Sequence, residues 1–267
     1  MRPTSFLHAK PSQWGGIALR YLAGWWYLVH LGGIALVMAF SPSTYTRGNR
    51  IATSHFIYTS TWQVLPWFTA LSALVSLVLI RIVVVTALSY GLSRYALEMV
   101  VRVLVLELIP LSAALFVALR AGLALNARDA LAVALASTPG KSAEAQGRLR
   151  ADLVPQVIAN AFSVLSLAMV SSVIVLVLAY LVVYGFSPWG LVDYTRTVGR
   201  VFDPTVTIGF ALKTVLFGLA VAVIPTAAIL DIHRTGHRPA STVQPGAVRL
   251  LFVLLLIEAA SLAVKYI

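Results

Sequence analysis

VLPWFTALSALVSLVLIRIVVVTALSY, residues 64–90, carries a single charged side chain, Arg81, in twenty-seven positions. The hydrocarbon core of a bilayer is about 30 Å thick and is crossed by roughly 20 apolar helical residues. This stretch is therefore read as a membrane-spanning helix, and the pattern repeats on its C-terminal side. Gly91 supplies a turn, and a second span runs from about Glu98 to Leu125. A polar interval follows, NARDALAVALASTPGKSAEAQGRLRADLVP at residues 126–155. Its first part reads as a short amphipathic helix that ends at the Thr138-Pro139-Gly140 break. A third span is expected from about Val157 to Tyr184, a fourth from about Val206 to Leu230, and a fifth from Val248 to the end of the sequence.

Composition points the same way. Of 267 residues, 60% are hydrophobic and 11% charged, and the mean hydropathy is +0.90, beyond what a soluble domain of mixed composition carries. The expected fold is an all-α polytopic membrane protein. Residues 64–267 would form a five-helix transmembrane domain with a cytoplasmic loop at 126–155, and residues 1–63 an N-terminal cytoplasmic segment.

Within that segment, WGGIALRYLAGWWYLVHLGGIALVMAF at residues 14–40 is long enough to span but is interrupted by Arg20 and His30. Trp14, Trp25, Trp26 and Tyr27 favour the headgroup level, so it is read as an interfacial or re-entrant helix in preference to a sixth span. The opening MRPTSFLHAKPSQWGG lacks a basic region followed directly by an apolar core and a small-residue cleavage site, and is not read as a cleaved signal peptide.

Twenty Lys and Arg against nine Asp and Glu give a formal charge of +11. Nucleic acid is the weaker explanation, because basic residues also collect in the cytoplasmic loops of membrane proteins. Arg2, Lys10, Arg20, Arg47 and Arg50 precede the first span; Arg128, Lys141, Arg148 and Arg150 follow the second; Arg234, Arg238 and Arg249 follow the fourth. The opposite side has Arg94, Arg196, Arg200 and Lys265. The excess places the N-terminus and the 126–155 loop in the cytoplasm and the C-terminus on the other side. The sequence has no cysteine, which excludes disulfides and thiolate metal sites.

Few motifs carry chemistry. HRTGH at 233–237 pairs two histidines in a basic loop and reads as solvated, with no metal site expected. TPGKS at 138–142 ends like a P-loop, but Leu135 stands where the first glycine belongs, so no nucleotide binding is expected in this chain. Ala114, Ala118 and Gly122 form a small-residue row that admits a close helix neighbour. Ionisable groups at membrane depth are costly and mark function by default. At about 1.5 Å per residue, Glu107 lies about 13 Å inside its helix, Glu258 about 15 Å and Lys213 about 10 Å. Glu107 and Arg120 are thirteen residues apart and cannot pair along one helix. Arg120 is expected to snorkel near the helix C-terminus, and Glu107 has no such escape.

ELIPLSAALFVALRAGLALNA, beginning at Glu107, resembles the signature of MlaE-type permeases, the membrane subunits of ABC transporters that work with mammalian-cell-entry (MCE) proteins to move lipids between bacterial membranes. The resemblance rests on Glu107, Leu108, Pro110, Ala114, Leu115, Arg120, Gly122 and Ala127 at the family's spacing. Tyr58, Leu65-Pro66 and Gly91 upstream, and KTVLFG at 213–218 with Glu258 downstream, extend it over about residues 50–265. There are departures. The usual arginine before the glutamate is Leu106, the motif glycine is Ile109, Ala-Gly-Arg is Ala118-Leu119-Arg120, and Ala-Glu is Ala127-Arg128. The Thr-Glu-Gln of the coupling helix is Leu135-Ala136-Ser137.

The resemblance implies an MlaE-like permease fold with an N-terminal interfacial helix and five spans in a bacterial inner membrane, the C-terminus being periplasmic. It implies a second permease copy, in a homodimer or heterodimer, together with separate ATPase subunits that hold ATP and Mg, and MCE proteins on the periplasmic side. This chain would need no cofactor and perform no catalysis. By resemblance, Leu79, Ala87, Tyr90, Glu107 and Leu108 contact lipid, and Arg128, Leu131, Ala134 and Ala136 lie where the ATPase docks. Two rivals remain. One is a non-transporting structural permease. The other is an intramembrane lipid-modifying enzyme, which would need a clustered nucleophile, acid and base.

Overall fold

A computed structural model describes residues 54–55, 57–136, 142–235 and 246–266. The expected interfacial helix at 14–40 and the Thr138-Pro139-Gly140 break lie outside these residues. A short wide turn, Tyr58–Trp62, leads into α1, Leu65–Ser89. Next, α2 (Ser93–Val100) passes through a π-type segment, Val101–Leu108, into α3, Ile109–Ala136. The remaining elements are α4 (Ser142–Tyr184), a 3₁₀ turn at Pro188–Gly190, α5 (Leu191–Val201), α6 (Pro204–Thr235) and α7 (Ala247–Tyr266). Among the described residues there is no strand.

Five segments are long and apolar enough to cross a membrane: Leu65–Ser89, Tyr95–Leu123, Gln156–Tyr184, Pro204–Ala227 and Ala247–Val264. They are the five spans expected from hydropathy. Their limits have local causes. Pro66 sits in the first turn of α1, where its missing N–H removes no helical bond. Gly91 closes the α1–α2 turn at φ 70°, a left-handed conformation that side chains with a Cβ resist.

The loop reading at 126–155 needs correction. The second span ends near Leu123, close to the expected Leu125, but no separate short helix follows; α3 continues unbroken to Ala136. LALNARDALAVALA, residues 123–136, holds neither Gly nor Pro and is rich in Ala and Leu, so propensity carries the helix past the membrane boundary. From the other direction, α4 begins at Ser142 and has 43 residues. The interval is thus mostly helical extension of spans two and three.

The spans are unequally enclosed. Over their most apolar windows, spans two and four are 56% and 50% buried, whereas spans one and five are 17% and 11% buried. Spans two and four therefore form the centre of the bundle, and spans one and five its flanks. Two apolar clusters fill the interior. One gathers Phe68, Ala114, Val164, Leu167, Phe217 and Leu254; the other gathers Ile80, Leu104, Ile109, Val175, Ala179 and Val201. The small-residue row lies inside: Ala114, Ala118 and Gly122 are all buried.

The 11-residue helix α5 packs Val201 fully into the second cluster, with Tyr194 and Val198 beside it. The Tyr194 hydroxyl donates to the Leu176 carbonyl at 2.8 Å, and burial pushes its phenol up to about 12. The folded state therefore selects the neutral phenol. That contribution is complete below the ordinary tyrosine value of about 10 and is lost as pH rises towards about 12. Tyr194→Phe is expected to delete a component near pH 12 from a tyrosinate absorbance titration. It should also lower stability by about 1 kcal/mol, the usual worth of such a bond, in a denaturant or thermal melt.

Candidate functional site

Three ionisable side chains from three spans meet in the interior. Lys213 is 3% exposed, and its Nζ forms an ion pair and hydrogen bond with Glu107 Oε2. The same Nζ lies 2.7 Å from Glu258 Oε2; this second contact is an ion pair without hydrogen-bond alignment. Glu107 comes from the π-type segment, Lys213 from α6 and Glu258 from α7. A buried ammonium without partners would carry a prohibitive desolvation cost. Here it has two carboxylates, and the Phe217 ring lies one turn along with its centroid 5.7 Å from Nζ, close enough for cation–π attraction.

A fourth contact comes from the main chain. Lys213 Nζ also approaches the Leu106 carbonyl, at 3.4 Å. In an α-helix that carbonyl would accept from the N–H of residue 110, but residue 110 is proline and has none to give. Its ring would also press against the same carbonyl. Widening of the preceding turns to i→i+5 bonding accommodates this, and Ile109 N–H accordingly bonds to Leu104 O. Such π-type segments are rare and cluster at functional sites. Pro110 thus accounts both for the local backbone and for a carbonyl facing the ammonium.

The triad lies near the seam of the two apolar clusters. On α6, Phe210 packs against one cluster and Phe217 belongs to the other, with Lys213 between them. The lysine side chain is only 2% exposed, the Glu107 and Glu258 side chains 16% and 14%. Whatever reaches the triad therefore meets a carboxylate first. With all three groups ionised, two negative charges surround one positive charge.

Gly218 explains how α6 comes so near α4. A Cβ at this position would meet the Ala161 carbonyl oxygen at 3.1 Å, closer than ordinary packing allows. The KTVLFG stretch therefore combines a buried cation, a buried aromatic and a close backbone contact in one and a half turns.

The other residues expected at the site are differently placed. Leu79 packs against the second apolar cluster and Ala87 is buried. Tyr90 and Leu108 are exposed, at 77% and 38%. Arg128, Leu131, Ala134 and Ala136 all fall on the α3 backbone. Arg120 differs from expectation: its Nη2 donates to the Thr59 carbonyl at 2.5 Å. Because α3 runs on to Ala136, Arg120 is not at a helix C-terminus. It ties span two to the turn that precedes span one. Lys213 and Glu258 stand out in the sequence as ionisable groups at membrane depth, but not as partners of Glu107 or among the expected lipid contacts. Among the described residues, no group of three His, Cys, Asp or Glu could hold a metal ion.

The family model described as Permease MlaE matches residues 53–264. The chain belongs to the MlaE permease family. No curated protein and no solved structure matches it. As an MlaE-family chain with five apolar helices of spanning length, it is a multi-pass membrane protein and the permease subunit of an ABC transporter. The match contains every member of the triad.

Proposed function

We propose that this chain is one of two permeases in an MCE-type ABC transporter of a bacterial inner membrane, moving phospholipid or a related lipid between that membrane and a periplasmic MCE assembly. The observation that carries the reading is the enclosed Glu107–Lys213–Glu258 triad in an MlaE-family bundle. Among the described residues the buried polar groups elsewhere, such as Gln156, Asn160 and Ser163, are neutral; the triad adds a locus of charge, reached through its carboxylates. Leu79 and Ala87 would line the acyl-chain side of the lipid path, with Leu108 beside Glu107 and Tyr90 at headgroup level.

The N-terminus is cytoplasmic and the C-terminus periplasmic in this scheme. Separate ATPase subunits hold ATP and Mg and dock near Arg128, Leu131, Ala134 and Ala136. Nucleotide acts by shifting the permease between two conformations, which requires that it bind one of them more tightly.

Glu107→Gln leaves Lys213 paired with Glu258 and is expected to lower lipid transfer in an assembled complex. Glu107→Lys sets a second ammonium against Lys213 and is expected to abolish it. Normal transfer by both variants, measured with fluorescent phospholipid between proteoliposomes and acceptor MCE protein, would sink this reading. A structural, non-transporting role is favoured by one observation, the departure of residues 128 and 135–137 from the family's coupling sequence. Unchanged ATPase activity and lipid transfer in a complex lacking this subunit would select that role.

A further inference from the structure

After span three the chain folds back along the end of that helix. The Tyr180 and Tyr184 rings stack at the end of α4, 5.8 Å apart, and the Tyr180 hydroxyl donates to the Ser187 carbonyl at 2.6 Å. Tyr194 reaches Leu176, eight residues and so about 12 Å before the end of that helix. The segment therefore lies beside the last turns of span three, with Tyr194, Val198 and Val201 held against the core.

Its other side is apolar and uncovered. Phe186 and Trp189 are 92% and 88% exposed, and Leu191 and Val192 52% and 66%. Val173 and Val177 of span three are exposed as well. The charges of the segment cancel, Asp193 and Asp203 against Arg196 and Arg200, so electrostatic attraction does not select its occupant. Depth does. A surface level with the last turns of a membrane span faces lipid, and aromatic side chains favour the headgroup level.

We propose that residues 186–192 are a membrane-surface anchor, with Phe186 and Trp189 seated at the boundary of headgroups and acyl chains in the leaflet where span three ends. The occupant is the bilayer itself, held by apolar contact and not by anionic charge.

Because the sequence has no cysteine, Phe186→Cys, Trp189→Cys and Arg196→Cys each give one spin-label site in the full chain. The labelled variants are placed in phosphatidylcholine nanodiscs with and without phosphatidylglycerol. At 186 and 189, oxygen collisions should exceed those of a water-soluble nickel chelate; at 196 the order should reverse, and phosphatidylglycerol should change neither result. Dominance of nickel at 186 and 189 would overturn the proposal, as would exclusion of both reagents, the sign of a protein cover, or deepening with anionic lipid. If the cysteine variants do not fold, Trp189→Phe should remove one tryptophan's share of the emission that brominated lipid quenches, the other five tryptophans supplying the rest, and an unchanged quenched amplitude per protein would equally overturn it.

Discussion

Lys213→Met is expected to be the most damaging single substitution in the bundle. It leaves Glu107 and Glu258 facing each other without their shared cation, and stranding buried charge costs about 3–5 kcal/mol. The expected result is loss of folded protein, or a large fall in melting temperature in detergent. Glu107→Gln and Glu258→Gln should each cost much less, since either leaves one neutral ion pair. Combining both with Lys213→Met should recover most of the stability, because an uncharged cluster of similar volume is often no worse than a buried ion pair. A triple variant as unstable as Lys213→Met would show that the lysine acts through packing. The recovered triple variant is also expected to transfer no lipid, which separates the triad's role in transport from its role in the fold.

Gly218→Leu should produce the second largest effect. The position faces the Ala161 backbone oxygen, with 3.1 Å available to a Cβ, and backbone cannot give way as a flexible side chain can. Overpacking of this kind costs about 1–3 kcal/mol. Since α6 carries Lys213 five residues away, forcing α4 and α6 apart should also disturb the triad. Thermal unfolding monitored beside lipid transfer would show both losses. Gly218→Ala, which adds only the Cβ, should show a smaller loss in each.

The five spans were legible in the sequence because hydrocarbon thickness imposes a length, and the apolar runs at residues 64–90 and beyond meet it. The family was legible from the order of Glu107, Pro110, Arg120 and KTVLFG. The pairing of the charges was not. Glu107, Lys213 and Glu258 each stand out as an ionisable group at membrane depth, but they lie on spans two, four and five, and only the packing of the bundle decides which of them meet. Arg120 does lie within a turn of the end of span two, but α3 does not end there, because helix ends are poorly marked where Ala and Leu continue past the membrane, and its Thr59 partner stands 61 positions away in sequence. The Leu106 carbonyl escapes notice for another reason. It becomes available through a proline four residues on, and a search restricted to polar side chains passes over it.

The 43 residues of α4 correspond to about 65 Å of continuous helix, roughly twice the hydrocarbon thickness. Such an element acts as a lever arm. A tilt of about 5° around its middle displaces each end by about 3 Å, comparable to the reach of one hydrogen bond. Gly218 seats α6 on Ala161, two residues from the middle of this arm, so the same tilt moves that contact by only about 0.3 Å; the ends can swing while the helix that carries Lys213 stays seated at the pivot.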